Sequence, residues 1–224
     1  MEDQLDRRTR KRLAMRQNIS DAATKLFFER GFDNVTVDDI AEAADVGRMT
    51  VFNHFARKED MFFDQEEEAR EVILDAVRTC RSGLAPIEAL RLLAYRLIEN
   101  DAPYIRFFEG SRRFVETVAA SEALKARARA IRDEVARALS ESLALVVDRP
   151  SDDPDAQLAA HLLLTTWSVA FTQAHAAYRR SEDVEMAKNT FLAVVEKGAM
   201  GVTAAMIGTP YAQHKSENGA SQDV

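Results

Sequence analysis

The segment from Thr36 to Phe55 constrains this chain more tightly than any other. Thr36 is followed three residues on by Asp39, the reciprocal pairing of a capping box, and Val35 and Ile40 flank the cap as a hydrophobic staple. The helix that starts here is predicted to run to Ala44, where Asp45-Val46-Gly47 breaks it; a second short helix is predicted over about Arg48 to His54. Two helices meeting steeply across so short a turn need a small residue at their closest approach and a turn residue that tolerates left-handed backbone. Ala41 and Asp45 supply these, and Ile40, Ala44, Val46, Val51 and Phe55 supply an apolar inner side in the matching register. The joint match predicts a helix-turn-helix.

The rest of the chain is equally helical in pattern. Ile19, Ala22, Ala23, Leu26 and Phe27 recur at helical spacing in a helix predicted from near residue 9, with Gly31 as its left-handed terminator and Asp33-Asn34 as a turn. Beyond residue 57, helices are predicted at about 58–82, ended by Ser82-Gly83, and from Pro86 to about Asn100. An aromatic segment from Pro103 to about Gly110 and a helical piece to about Ala120 follow. Ser121 caps a helix over 122–147, Asp153-Pro154 opens the next, and Ser181 separates that one from a last helix over about 182–206. With only 8 Gly and 5 Pro in 224 residues, and Ala, Leu, Glu and Arg dominant, the class is all-α with about nine to ten helices. The expected division is a helix-turn-helix domain over 1–57 with a basic N-terminal arm, a helical body over 58–207, and a disordered polar tail over 208–224.

Charge is unevenly distributed. The net charge is −7, yet residues 1–20 hold 6 Lys and Arg (Arg7, Arg8, Arg10, Lys11, Arg12, Arg16) against 3 acidic residues. Phosphate binding depends on that local footprint and not on the total. The cluster reads either as a solvated tail or as an arm reaching an adjacent minor groove. The single cysteine, Cys80, excludes an internal disulfide and the cysteine-rich zinc modules. No apolar run approaches the ~18 residues that span a bilayer, and no secretory signal is visible, so a cytoplasmic location is expected.

The run Thr36-Val37-Asp38-Asp39-Ile40-Ala41 through Val51-Phe52-Asn53-His54-Phe55, with Ala22-Ala23, Leu26-Phe27 and Arg30-Gly31-Phe32 before it and Lys58-Glu59-Asp60-Met61 after it, resembles the DNA-binding head of the TetR/AcrR family of transcriptional regulators. The resemblance covers about residues 10–62; beyond it the chain matches in length and helical architecture alone. It implies that Thr36 meets a phosphate at the start of the first helix of the motif. Gly47, Arg48, Met49 and Asn53 would face base edges, and Thr50, Phe52, His54 and Lys58 would flank them along the backbone. Arg48 can pair bidentately with guanine, Asn53 with adenine, and Met49 can touch a thymine methyl. His54 is equally open to a packing role. Gly47, Met49 and Phe52 depart from the family pattern, which more often has a capping hydroxyl, a small residue or proline, and a tyrosine at these places.

The resemblance further implies a homodimer through the last two helices, about 154–180 and 182–206, where small residues such as Ala159, Ala160, Ala170, Ala174 and Ala177 permit close approach; an ordinary intrachain core is the alternative. Two heads would then meet half-sites about 34–36 Å apart on a palindromic double-stranded operator. For a small-molecule effector, an aromatic cluster of Tyr104, Phe107 and Phe108 and a semi-polar stripe of His161, Thr165, Ser168, Thr172 and His175, with Trp167 and Phe171, offer an apolar pocket with a few orienting groups. The same stripe could instead be satisfied interior groups or solvent-facing ones. The function expected is a ligand-responsive repressor released from its operator by an apolar or amphipathic effector. The competing class, an enzyme, finds no support: there is no His-Glu-x-x-His cluster, phosphate loop or serine elbow, and no cofactor or metal site is expected.

Overall fold

The computed structural model describes residues 6–80 and 84–213, and every regular element among them is helical. The α-helices are α1 Arg7–Arg30, α2 Val37–Ala43, α3 Arg48–His54, α4 Glu59–Phe62, α5 Glu66–Arg78, α6 Pro86–Glu99, α7 Glu109–Ala120, α8 Glu122–Val146, α9 Pro154–Ser181 and α10 Val184–Ala205. Single 3-10 turns lie at Phe32–Asn34 and Pro103–Ile105. Two compact units form, one within Met1–Glu66 and Arg113–Ala128, the other within Glu67–Arg112 and Arg129–Val224. The first therefore takes in a later stretch that the sequence pattern assigns to the body.

In the first unit α1 starts at Arg7, with the Asp6 carboxylate accepting the backbone N–H groups of Arg8 and Thr9. The cluster Arg7 to Arg16 thus rides on the first turns of a helix and is not a flexible arm; residues 1–5 of the expected arm lie outside the described residues. Gly31 ends α1 at φ 81°, ψ 146°, a positive-φ extended pairing open to glycine and outside the left-handed helical region expected for it. The core joins Ile19, Ala23, Leu26 and Phe27 of α1 to Phe32, Ile40, Val51, Phe55, Met61, Phe62 and Leu124. Phe27 meets Phe32 and Phe62 at ring separations of 4.9 and 5.6 Å, and each buried aromatic contributes about 2–3 kcal/mol through its removal from water.

The helix expected over 58–82 is broken. Phe62 stacks on Phe114 at 4.5 Å and Phe63 meets the same ring edge-on at 5.7 Å. The backbone leaves the helical region at Phe63, with φ −105° and ψ 38°, and both neighbouring rings meet Phe114. Ser20, buried in α1, fastens this corner by donating to the carbonyl of Met61 (3.0 Å) or to the Asp64 carboxylate. Arg127 pairs with Asp60 and Glu66, both at 2.8 Å. The expected Ser82-Gly83 terminator lies outside the described residues.

In the second unit, Pro86 occupies the first turn of α6, and the Asp153 carboxylate caps α9 through the Asp155 N–H at 2.8 Å. Glu182 in the left-handed region at φ 54° turns the chain between α9 and α10, whose pairing is the most extensive in the unit. Gly198 sits where any Cβ would run into the Thr166 side chain, so the two helices approach backbone to side chain there. The tail expected to be disordered from 208 is in part folded: Tyr211 is fully buried in the core, and its carbonyl accepts the Ile87 N–H at 3.4 Å. Residues 214–224 of that tail lie outside the described residues. No described helix is long and apolar enough to cross a membrane.

Candidate nucleic-acid interface

The motif is built from its caps. Thr36 Oγ1 accepts the Asp39 N–H at 3.1 Å while the Asp39 carboxylate accepts the Thr36 N–H at 2.8 Å, completing the capping box. The Thr36 hydroxyl donates in turn to Asp39. These bonds, the hydroxyl's first and then the backbone's, hold the Asp39 carboxyl below its ordinary pKa, with Arg30 adding to the effect. The hydroxyl expected to meet a phosphate is therefore already engaged at both its donor and an acceptor position.

α2 ends in a Schellman motif: the Val46 N–H donates to the Ala41 carbonyl (2.9 Å) and the Asp45 N–H to Glu42 (3.1 Å), with Asp45 left-handed at φ 53°. Asn18 of α1 adds a bond to the Ala44 carbonyl at 2.9 Å. These fix the point from which α3 departs.

α3 is anchored from behind and bare in front. Val51 is 0% and Phe55 2% exposed, while Met49 is 71% exposed and Gly47, Arg48, Phe52 and Asn53 share its outer face. Thr50 and His54 are half-buried at the margins. Arg16 donates to the His54 carbonyl and lays its guanidinium 4.0 Å over the Phe55 ring, clamping the C-terminal end of α3 to α1. Burial first, and then Arg16 and Arg12, lower the His54 pKa, so it presents a neutral imidazole at neutral pH. Arg48 pairs with Asp38 at 2.7 Å and lies 5.5 Å from the Phe52 ring centre.

Lys58 is less free than its expected phosphate role requires. Its ammonium donates to the carbonyls of Phe32 (2.9 Å) and Val35 (2.8 Å) and lies 4.1 Å over the Phe32 ring, so two of its three donors tie α1's exit to α4's start. Burial pushes its pKa down, against the pull of Asp33 and Glu59. Sequence reasoning missed Arg16, Asn18 and Asp38, whose partners are ten or more residues away.

The residues expected around an effector divide in the second unit. Phe107 and His175 are buried, and Tyr104, Trp167 and Phe171 are half-buried; the His175 ring lies 5.1 Å from Phe107 and 4.3 Å from Phe171, while Trp167 meets Phe191 at 5.8 Å. Among the described residues neither nitrogen of His175 has a hydrogen-bond partner, and burial lowers its pKa to about 4. Phe108 is exposed, as are His161, Thr165, Ser168 and Thr172. The hydroxyls of Ser168 and Thr172 donate to carbonyls one turn back on their own helix, both at 2.8 Å. Among the described residues no group of His, Cys, Asp and Glu could hold a metal ion.

Residues 19–64, which contain this motif whole, match the model for bacterial regulatory proteins of the tetR family. The regulator TcmR of Streptomyces glaucescens is 34% identical over 83 residues, 37% of either chain. The biofilm operon negative regulator IcaR of Staphylococcus epidermidis is 25% identical over 157 residues, 68% of this chain and 82% of its own. The chain thus spans about a third of the first of these relatives and most of the second. Among solved structures, the SmeT–triclosan complex shares the fold at a TM-score of 0.54 and 18% identity, covering 84% of this chain and 91% of that one. Both sequence relatives are named as transcriptional regulators. In residues 19–64, the chain is similar to the DNA-binding head of the bacterial regulatory proteins of the tetR family.

Proposed function

We propose that the chain is a cytoplasmic transcriptional repressor that binds a palindromic DNA operator as a homodimer and releases it when a small apolar or amphipathic effector enters the helical body. The observation that carries this reading is α3: a short helix with Arg48, Met49, Phe52 and Asn53 exposed along one side and Val51 and Phe55 buried on the other. Such a helix presents donors and an apolar tip to base edges while its position is fixed from behind.

One short helix reads too few bases to select a site, so the reading requires a pair. Exposed seams support one. On α10, Met186, Thr190, Ala193, Lys197, Met200 and Ala204 recur at alternating spacings of four and three, and all but Thr190 are exposed. On α9, Leu158, His161, Thr165, Ser168 and Thr172 repeat the same rhythm and are all exposed. This is the spacing of helices that pack side by side on a partner. The alanines Ala159, Ala160, Ala170, Ala174 and Ala177 serve instead to seat α9 in its own chain's core. Four members of the expected pocket stripe are thereby assigned to the face between copies, and His175 remains for the effector beside Phe107 and Phe171. Its unpartnered nitrogens favour a largely apolar ligand carrying a hydrogen-bonding group. Such a ligand acts through its differential affinity for the DNA-competent and DNA-incompetent states.

Selection from a random-sequence duplex pool tests the reading. The chain should enrich inverted repeats with half-site centres about one helical turn apart, or a multiple of it. Enrichment of unpaired single sites, or none, would overturn it, as would a monomer by light scattering at micromolar concentration.

A further inference from the structure

Arg48 sits at the first position of α3 with its side chain more than half exposed, a setting in which an arginine ordinarily samples many rotamers. Here it is held twice. Its Nη1 donates to Asp38 Oδ2 at 2.7 Å, and its guanidinium carbon lies 5.5 Å from the centre of the Phe52 ring, one turn along the same helix. Asp38 belongs to the first turn of α2, which the capping box at Thr36 and the Schellman turn at Asp45 fix relative to α3. The backbone that carries this carboxylate is therefore fixed, while the Asp38 side chain itself is 65% exposed.

The geometry leaves a specific group free. A guanidinium has five N–H donors in a planar fork. With Nη1 on Asp38, the edge formed by Nε and Nη2 remains, two parallel donors that match the O6 and N7 acceptors of guanine. A phosphate could compete for the same guanidinium, but it would have to approach an arginine whose charge is already paired and whose neighbour is an anion.

We propose that Asp38 is a positioning residue for base reading: it holds Arg48 in one pose with its Nε–Nη2 edge unoccupied and discourages Arg48 from settling on phosphate. The inference rests on the reading that α3 meets base edges. Its consequence is that Asp38 contributes to sequence discrimination by lowering affinity for the wrong DNA, although it is an anion in a site for a polyanion.

The test measures affinity of the dimer for a duplex enriched from a random pool by the wild-type chain, and for a scrambled duplex of the same length, across a salt series. Asp38→Ala should tighten binding to the scrambled duplex and lower the discrimination ratio about two- to five-fold, the range an exposed ion pair supports. It should also steepen the salt dependence on scrambled DNA by about one phosphate contact. Asp38→Glu should restore part of the ratio, and amide exchange across α2 should report that both variants remain folded. In an Arg48→Ala background, Asp38→Ala should leave the ratio unchanged, because nothing remains to be positioned. An equal loss in that background, or no change in the wild-type background, overturns the proposal while leaving the head's DNA reading intact. If Arg48→Ala alone leaves discrimination whole, the reading of α3 fails and the proposal fails with it.

Discussion

Replacing Lys58 with methionine separates two roles that the sequence alone cannot tell apart. The substitution keeps the unbranched apolar stem and removes the ammonium, and with it the bonds to the carbonyls of Phe32 and Val35 and the contact over the Phe32 ring. Hydrogen bonds to a charged group are worth about 1.5–3 kcal/mol each. Two effects reduce that here: burial already disfavours the charged lysine, and the Phe32 carbonyl keeps its bond from the Val35 N–H at 3.3 Å. Taking about 1 kcal/mol for each lost bond, and a few tenths for the cation over the ring, gives a loss of about 2 kcal/mol. Since each 1.4 kcal/mol is a factor of ten, amide protection within residues 36–55 should fall by roughly thirty-fold, read by hydrogen exchange with mass spectrometry. A pure phosphate contact behaves differently: protection would be unchanged, and the slope of log affinity against log salt would flatten by about 0.9. That second pattern would refute the structural role argued for Lys58.

Three further outcomes follow from particular contacts. His175 has its pKa lowered to about 4, below the ordinary 6.5, so between these values the unfolded chain binds the extra proton. The second unit should therefore lose up to about 1.4 kcal/mol per pH unit as pH falls from 6 toward 4, and His175→Phe should flatten that dependence in urea melts; an unchanged slope would show that the imidazole is already solvated. Gly198→Ala gains about 1 kcal/mol of helix propensity but drives a methyl into Thr166, an overpacking cost of about 1–3 kcal/mol, so a net loss of thermal stability is expected, and relief by Thr166→Ala checks the cause. Gly47 caps α3 at φ −74° with no side-chain bond and only ordinary contact for a Cβ, so Gly47→Ser should stabilise the head by a few tenths of a kcal/mol, seen as slower exchange in α3.

What the sequence made legible was local. Thr36 with Asp39, Asp45 in the turn, Pro86 and Asp153-Pro154 each act through neighbours a few residues away, and the helices they delimit begin and end close to where the pattern puts them. What it hid depends on distant partners. At the break after Phe62, the Phe62 and Phe63 rings both meet Phe114, which lies far along the chain, and Tyr211 is buried because it joins the core of the second unit beside Ile87. Arg16 looks like one more cation in a basic cluster until the His54 carbonyl and the Phe55 ring come beneath it. The stripe from His161 to His175 has one periodicity but two environments, because other elements cover only its C-terminal end. Periodicity tells which residues share a face, and packing decides what that face meets.

If DNA sits on the outer face of α3, Met49, 71% exposed at the centre of that face, reports on it directly. Oxidative footprinting with peptide mass spectrometry should find Met49 oxidised readily in the free protein and protected when the enriched duplex is bound, with little protection from a scrambled duplex at the same salt. Undiminished oxidation of Met49 on a chain fully occupied by DNA would mean that the duplex binds elsewhere.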